Sequence, residues 1–222
     1  MPAGTVTAIR QQNNDPQRVN VFIDGEFALG ISLNTLARER LKVGVYLDES
    51  AWKRLVASEQ ADQALQQALR QLERRARSTA EIQRYLQRKG FSEPICAQTI
   101  TRLRELGLLD DIDFAGRWIA NRRALRPRGE RALRAELRQK GIDPVIIEQA
   151  LAADDSGMTE AERTEAAARA ALPRYSGLAD WVTFQRRLGG YLLRRGFAGE
   201  HIHPILINLW RELHPTSDIE EL

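Results

Sequence analysis

The chain has 222 residues, one cysteine and a formal net charge of +3, and no uninterrupted apolar stretch approaches the roughly 20 residues of a membrane-spanning helix. A disulfide-stapled fold and a helical membrane protein are thereby excluded, and a start without a leader-like apolar run predicts a cytoplasmic protein with Cys96 as a buried free thiol. Charge is unevenly spread: residues 70–140 hold 18 Lys/Arg against 9 Asp/Glu, whereas residues 1–69 hold 7 against 8 and residues 141–222 hold 8 against 13.

The N-terminus reads as strand. Val6 and Ile9 lie in a first segment without clean alternation, but Val19, Val21 and Ile23 alternate, as do Phe27, Leu29 and Ile31. Asp24-Gly25 between the last two sets is a two-residue hairpin signal, and Asn13-Asn14-Asp15-Pro16 reads as a looser turn. The expectation is a three-stranded antiparallel sheet over about residues 5–31, a short helix near Leu33–Arg38 and a connection through Lys42-Val43-Gly44.

From Asp48 the period is helical. Trp52, Leu55 and Val56 fit one apolar face; Ala64, Leu65, Ala68, Leu69 and Leu72 fit another. Ser78-Thr79-Ala80-Glu81 is a capping box, Ile82, Tyr85 and Leu86 point inward, and Gly90 closes the helix with Phe91 packing back on it. Pro94 suits the first turn of the next helix, whose inward face carries Ile95, Ile100, Leu103 and Leu106 before Gly107 stops it. Asp110 and Asp113 start a second unit, with Phe114 and Trp118 one turn apart, a middle helix over about residues 128–140, and a last helix opening at Asp143-Pro144 with Val145, Ile146 and Leu151. Asp154-Asp155-Ser156-Gly157 is a break. An Ala-rich helix over about 159–172, a longer gap around 173–177 and helices over 181–195 and 202–213 follow, before an acidic tail. The units divide as 1–47, 48–110, 111–156, 157–214 and 215–222.

Three stretches repeat one pattern: Tyr85-Leu86-Gln87-Arg88-Lys89-Gly90-Phe91, Glu136-Leu137-Arg138-Gln139-Lys140-Gly141-Ile142 and Tyr191-Leu192-Leu193-Arg194-Arg195-Gly196-Phe197. Each is the basic end of a helix, a glycine stop and an apolar residue. The glycines are roughly 50 residues apart, a spacing typical of repeat architectures. The fold class is mainly α, with a helical unit copied three times behind a small N-terminal antiparallel sheet. Stacked helical repeats present extended binding surfaces, so a large partner is expected.

The basic middle third points to a polyanion, either nucleic acid or an acidic protein surface. Its sharpest feature is Arg122, Arg123, Arg126, Arg128, Arg131, Arg134 and Arg138. At about 100° per residue, Arg128, Arg131, Arg134 and Arg138 fall within about 120° of one another, with Leu133 and Leu137 directed elsewhere. Only Glu130 and Glu136 offset them on that helix, so the sequence predicts an uncompensated cationic stripe. A second cluster is Arg74, Arg75, Arg84, Arg88 and Lys89, beside Arg70 and Arg77. Either cluster reads as a solvated face or as a contact surface. His201 and His203, at i,i+2, do not share a helix face, and no second cluster completes a metal site. Asp110, Asp111 and Asp113 read as helix-terminal acids. With no glycine-rich phosphate loop, Ser/His/Asp spacing or catalytic pair, neither an enzyme nor a cofactor is expected.

The run from Arg77-Ser78-Thr79-Ala80-Glu81 through Lys89-Gly90-Phe91 resembles the first repeat of the bacterial RecX family. Leu103-Arg104-Glu105-Leu106-Gly107-Leu108-Leu109-Asp110-Asp111, with Phe114-Ala115, is similar to its next signature, and the stretch from Glu136 to Ile142 to its second-repeat signature. The match covers about residues 60–214, and the strands around Asp24-Gly25-Glu26 resemble the extension of longer members. The third repeat departs most. The resemblance implies three tandem three-helix repeats forming a curved, elongated solenoid, as a monomer. It implies a regulator, usually an inhibitor, of the RecA recombinase that lies in the groove of the RecA filament on DNA. Such proteins suppress ATP hydrolysis, strand exchange and the coprotease activity that triggers the SOS response, and they bind single- and double-stranded DNA. Two alternatives stay open on the residues: a helix-turn-helix-like transcription regulator with the basic middle helix in a major groove, and a helical scaffold for another protein.

Overall fold

The computed structural model describes residues 3–153 and 157–215. Asp154, Asp155 and Ser156 of the expected break, and the acidic tail from residue 216, lie outside the described residues. The chain divides into two compact units, Met1–Leu109 and Asp110–Leu222.

In the first unit β1 (Gly4–Gln11), β2 (Arg18–Ile23), β3 (Glu26–Ser32) and β4 (Tyr46–Leu47) form an antiparallel sheet in the order β3-β2-β1-β4. The three-stranded expectation is therefore short by one strand. The two-residue β4 is too brief to show a period, and its register is fixed by Val6 N–H donating to the Val45 carbonyl at 2.9 Å and Gly44 N–H to the Val6 carbonyl at 2.8 Å. The broken alternation of β1 also has a cause: the pairing with β2 shifts register between Val6 and Ala8, a bulge. The β2–β3 hairpin turns on Asp24 and Gly25, with φ of 48° and 91°. Positive φ at both central positions is what a type I′ turn requires.

Helix α1 (Leu33–Arg38) leads to α2 (Glu49–Arg74), a single helix of 26 residues. Its two apolar faces serve two cores. Trp52 and Leu55 pack under the sheet with Val6, Val21 and Ile31, whereas Ala61, Ala64 and Ala68 pack against α3 (Thr79–Arg88) and α4 (Glu93–Glu105) through Ile82, Leu86 and Leu103. Between these faces stands Glu59, only 2% exposed. Its carboxylate accepts from Arg18 Nη2 at 2.8 Å, from Ser32 N–H at 2.9 Å and from Gln63 Nε2 at 2.7 Å. Arg18 Nη2 also donates to the Gly30 carbonyl at 2.8 Å. The pair thus satisfies backbone groups on the free edge of β3, which would otherwise be exposed to pairing with a foreign strand. Leu106, expected on the inward face of α4, is instead its C-cap and 45% exposed; Leu109 fills the core there. Cys96 is a buried free thiol, and burial raises its pKa.

In the second unit α5 (Asp111–Leu125), α6 (Glu130–Gln139) and α7 (Pro144–Ala152) enclose Phe114, Ile119, Leu133, Leu137 and Ile147. Val145, expected inside, faces solvent, and Ile147 is the buried residue of that turn. Then α8 (Glu160–Ala171), a 3-10 turn (Leu172–Arg174), α9 (Trp181–Phe184), α10 (Gly190–Arg194) and α11 (Gly199–Leu213) build a further core around Phe184, Leu192, Phe197, Leu206 and Trp210. A π-helical turn, Gln185–Gly189, joins α9 to α10.

The repeated sequence pattern is one hydrogen-bonded device. The Gly90 N–H donates to the Gln87 carbonyl at 2.9 Å and the Phe91 N–H to the Leu86 carbonyl at 3.3 Å. The same two bonds recur at Gly141 and Ile142 (2.9 and 3.1 Å) and at Gly196 and Phe197 (2.9 and 3.2 Å). This is the Schellman closure, which needs a left-handed residue after the helix; φ at Gly90 is 87° and at Gly196 86°. Gly196 has a second constraint. A Cβ there would collide with Ala132, and one at Gly129 would collide with the Gly196 carbonyl. Gly129 N–H donates to the Arg195 carbonyl at 3.0 Å, and Glu160 Oε1 accepts from the Glu130 N–H at 2.8 Å. The end of α10 is thereby seated on the start of α6.

Candidate functional site

The arginines of the first unit sit at the end of α2 and along α3. Arg75 is committed: its two Nη atoms reach Glu81 at 3.0 and 3.2 Å, and it donates to the Ala76 carbonyl at 3.0 Å. Arg77 is half-buried and donates to Gln71 Oε1 at 3.0 Å; burial first, then Arg75, lowers its pKa. Arg84 Nε donates to the Ala80 carbonyl at 3.1 Å, and the Lys89 ammonium stands 5.9 Å from the Tyr85 ring. Arg74 and Arg88 are exposed, and no described carboxylate lies within ion-pair distance of either.

The second cluster centres on Trp118 and Glu136. Trp118 stacks on Phe114 with ring centroids 6.0 Å apart, while the Arg122 guanidinium lies 4.4 Å and the Lys140 ammonium 5.0 Å from its ring. Such cation–π contacts hold basic side chains against a flat apolar surface. Glu136 Oε2 accepts from Trp118 Nε1 at 2.9 Å and from Arg122 Nε at 2.7 Å; Arg128 Nε stands 3.5 Å from Glu136 Oε1. Arg134 reaches Glu130 at 2.8 Å and both oxygens of Glu148 at 2.9 and 3.0 Å. Arg123 is half-buried among Glu160, Glu130 and Arg163, and burial lowers its pKa.

This corrects the expected uncompensated stripe. Arg128 precedes the N-cap, Gly129, so it is not on the helix at all. Glu136 pairs with both Arg122 and Arg128, and Arg134 is paired twice, once by Glu148 from α7, a partner that the helix's own sequence does not show. Arg126, Arg131 and Arg138 remain exposed, with no described carboxylate within ion-pair distance. Lys140 and Glu148 were not legible as part of the cluster. The i,i+4 spacing of Trp118 and Arg122 carried a signal for the first contact; nothing local carried the others.

The remaining candidates have ordinary partners. Asp110 Oδ1 accepts from the N–H groups of Ile112 at 2.8 Å and Asp113 at 3.1 Å, as a helix cap does, and Asp113 pairs with Arg117 at 2.8 Å. His201 lies 3.7 Å from Glu200, and His203 contacts Gln185 at 3.4 Å. Among the described residues no group of three or more His, Cys, Asp or Glu is placed to hold a metal, and no helix is long and apolar enough to cross a membrane.

These elements define a mainly helical protein of tandem three-helix domains preceded by a small antiparallel sheet. Three family models match it: the RecX N-terminal domain over residues 4–48, the first RecX three-helix domain over 64–103 and the second over 110–151. The chain is 41% identical over 141 residues to regulatory protein RecX of Mycobacterium sp. (strain JLS), covering 62% of this chain and 76% of that protein. It is 30% identical over 203 residues to that of Bacillus pumilus (strain SAFR-032), covering 90% and 76%. Its fold is similar to a crystal structure of regulatory protein RecX (TM-score 0.73, 23% identity, 92% and 98% covered) and to that of RecX from Lactobacillus salivarius (0.60, 24%, 68% and 97%). The chain belongs to the RecX family.

Proposed function

We propose that this chain is a non-catalytic inhibitor of the RecA recombinase. It lies in the groove of the RecA–DNA filament and suppresses ATP hydrolysis, strand exchange and the SOS coprotease activity. It acts as a cytoplasmic monomer without a cofactor, and it meets single- and double-stranded DNA mainly through phosphates. A protein seated along a groove bridges neighbouring filament subunits, so a few copies can hold many subunits in one arrangement. The observation that carries the reading is that the two basic clusters hold exposed arginines with no described carboxylate within ion-pair distance, Arg74, Arg88, Arg126, Arg131 and Arg138 among them, in a chain of this family. The planar guanidinium fork takes two oxygens of a phosphate or carboxylate at once.

The charge-reversed variant Arg131→Glu/Arg138→Glu tests it. Arg134 is left alone because a glutamate there would face Glu130 and Glu148. Inhibition of RecA ATP hydrolysis on single-stranded DNA is expected to weaken about tenfold, equivalent to about 1.4 kcal/mol of binding, with helix content unchanged by circular dichroism. Undiminished inhibition by the folded variant removes the second cluster from the reading. Sequence-specific duplex binding without RecA would favour a transcription regulator instead.

A further inference from the structure

The third helical core has no part in the surface described so far, yet it delivers an arginine to it. Arg195, the C-cap of α10, donates from Nη1 to the Pro127 carbonyl at 3.2 Å across 68 residues of sequence. Its guanidinium stands 4.7 Å from the Tyr191 ring, and no described carboxylate lies within ion-pair distance. Pro127 sits between Arg126 and Arg128. Arg131 lies on the first turn of α6, beside Ala132, which abuts Gly196.

The Arg195 guanidinium is therefore held against the segment that carries Arg126 and Arg131. The arrangement is enforced by close packing: only glycine fits at positions 129 and 196, and the Gly129 N–H is bonded to the carbonyl of Arg195 itself. Cationic side chains carried on neighbouring segments favour an external anion. Of the nearby carboxylates, Glu160 accepts the Glu130 N–H through Oε1, Glu130 pairs with Arg134, and Glu136 pairs with Arg122 and Arg128. The Tyr191 ring beneath Arg195 orients the flat group and leaves N–H donors on its edge for the paired oxygens of a phosphodiester.

We propose that Arg195 joins Arg126 and Arg131 in one phosphate-binding site, formed where the second and third helical cores meet, that takes the backbone of a nucleic acid. The inference rests on the reading of the unpaired arginines as an anion-binding surface and extends that surface into α10.

The test is binding of a fluorescein-labelled oligothymidylate, followed by anisotropy over a range of KCl concentrations. Arg195→Gln keeps an N–H donor but loses the charge; it is expected to weaken binding several-fold and to reduce the slope of log K against log salt by about 0.7, one single-strand phosphate contact. Arg195→Lys keeps the charge and should keep the slope. Arg211→Ala, an exposed arginine on α11, should change neither. A folded Arg195→Gln protein with the wild-type slope and affinity overturns the proposal. So does a variant that binds the oligonucleotide normally but no longer inhibits RecA, which would make Arg195 a protein contact. If the wild-type chain does not bind the oligonucleotide, this site and the DNA part of the proposed function fall together; if only the Arg195 result is negative, that function stands.

Discussion

Arg131 and Arg134 stand three residues apart on α6 and have different surroundings. Glu148, on the neighbouring helix, decides the difference: its carboxylate takes Arg134 and leaves Arg131 to solvent. The hydrogen bond from Arg134 holds the Glu148 carboxyl below the usual glutamate range. Because the folded value is depressed, this contribution to stability is present above the unfolded pKa of 4.5 and is lost as pH falls through the folded one. Glu148 is largely exposed, so screening limits the pair to a fraction of a kcal/mol, about 0.5. Glu148→Gln is expected to lower the melting temperature slightly at pH 7, with the gap from wild type closing in acid; a gap that widened on acidification would refute this sign. Glu59 is the opposite case. Glu59→Ala strands the Ser32 N–H and the Arg18 guanidinium on the edge of β3, and breaking such a buried pair costs about 3 kcal/mol, the low end because Arg18 is 27% exposed. Urea unfolding of the variant measures it; a midpoint equal to wild type would show that the edge needs no such cover.

Among the elements, the helix ends carry most of what the sequence makes legible. A Schellman closure and a capping box are built from residues within six positions of each other, so the helix stop at Gly90 and the helix start at Ser78 are visible in the string. The same locality explains the failures. Strand β4 is two residues long, Leu106 sits on the last turn where the helical period no longer decides direction, and Glu148 meets Arg134 only after α7 folds back. The arginines of the candidate site were legible as a composition, but which of them are free was set by partners on other helices. Gly196 differs from Gly90 for the same reason. Gly90→Ala meets open space and costs about 1–2 kcal/mol for a left-handed alanine. Gly196→Ala carries that cost and also forces apart the Gly196–Ala132 approach, so it should destabilise by clearly more. Thermal unfolding of both variants checks the order; equal losses would mean the junction yields freely.

At the scale of the whole molecule, the chain is two compact units in which long α2 joins a sheet to one three-helix core, and a glycine contact joins two further helical cores. In the two basic clusters Arg74, Arg88, Arg126, Arg131 and Arg138 are exposed, with no described carboxylate within ion-pair distance. These arginines favour gripping an anionic surface, and membership of the RecX family implies a RecA-related partner. The most direct measurement is DNA-dependent ATP hydrolysis by the cognate RecA on single-stranded DNA, with this protein titrated in well below one copy per RecA. Under the proposed function hydrolysis is expected to fall strongly at those ratios, because one bound copy would act on a filament and would not merely compete for DNA. Unchanged hydrolysis, with RecA active and this protein folded, would contradict it.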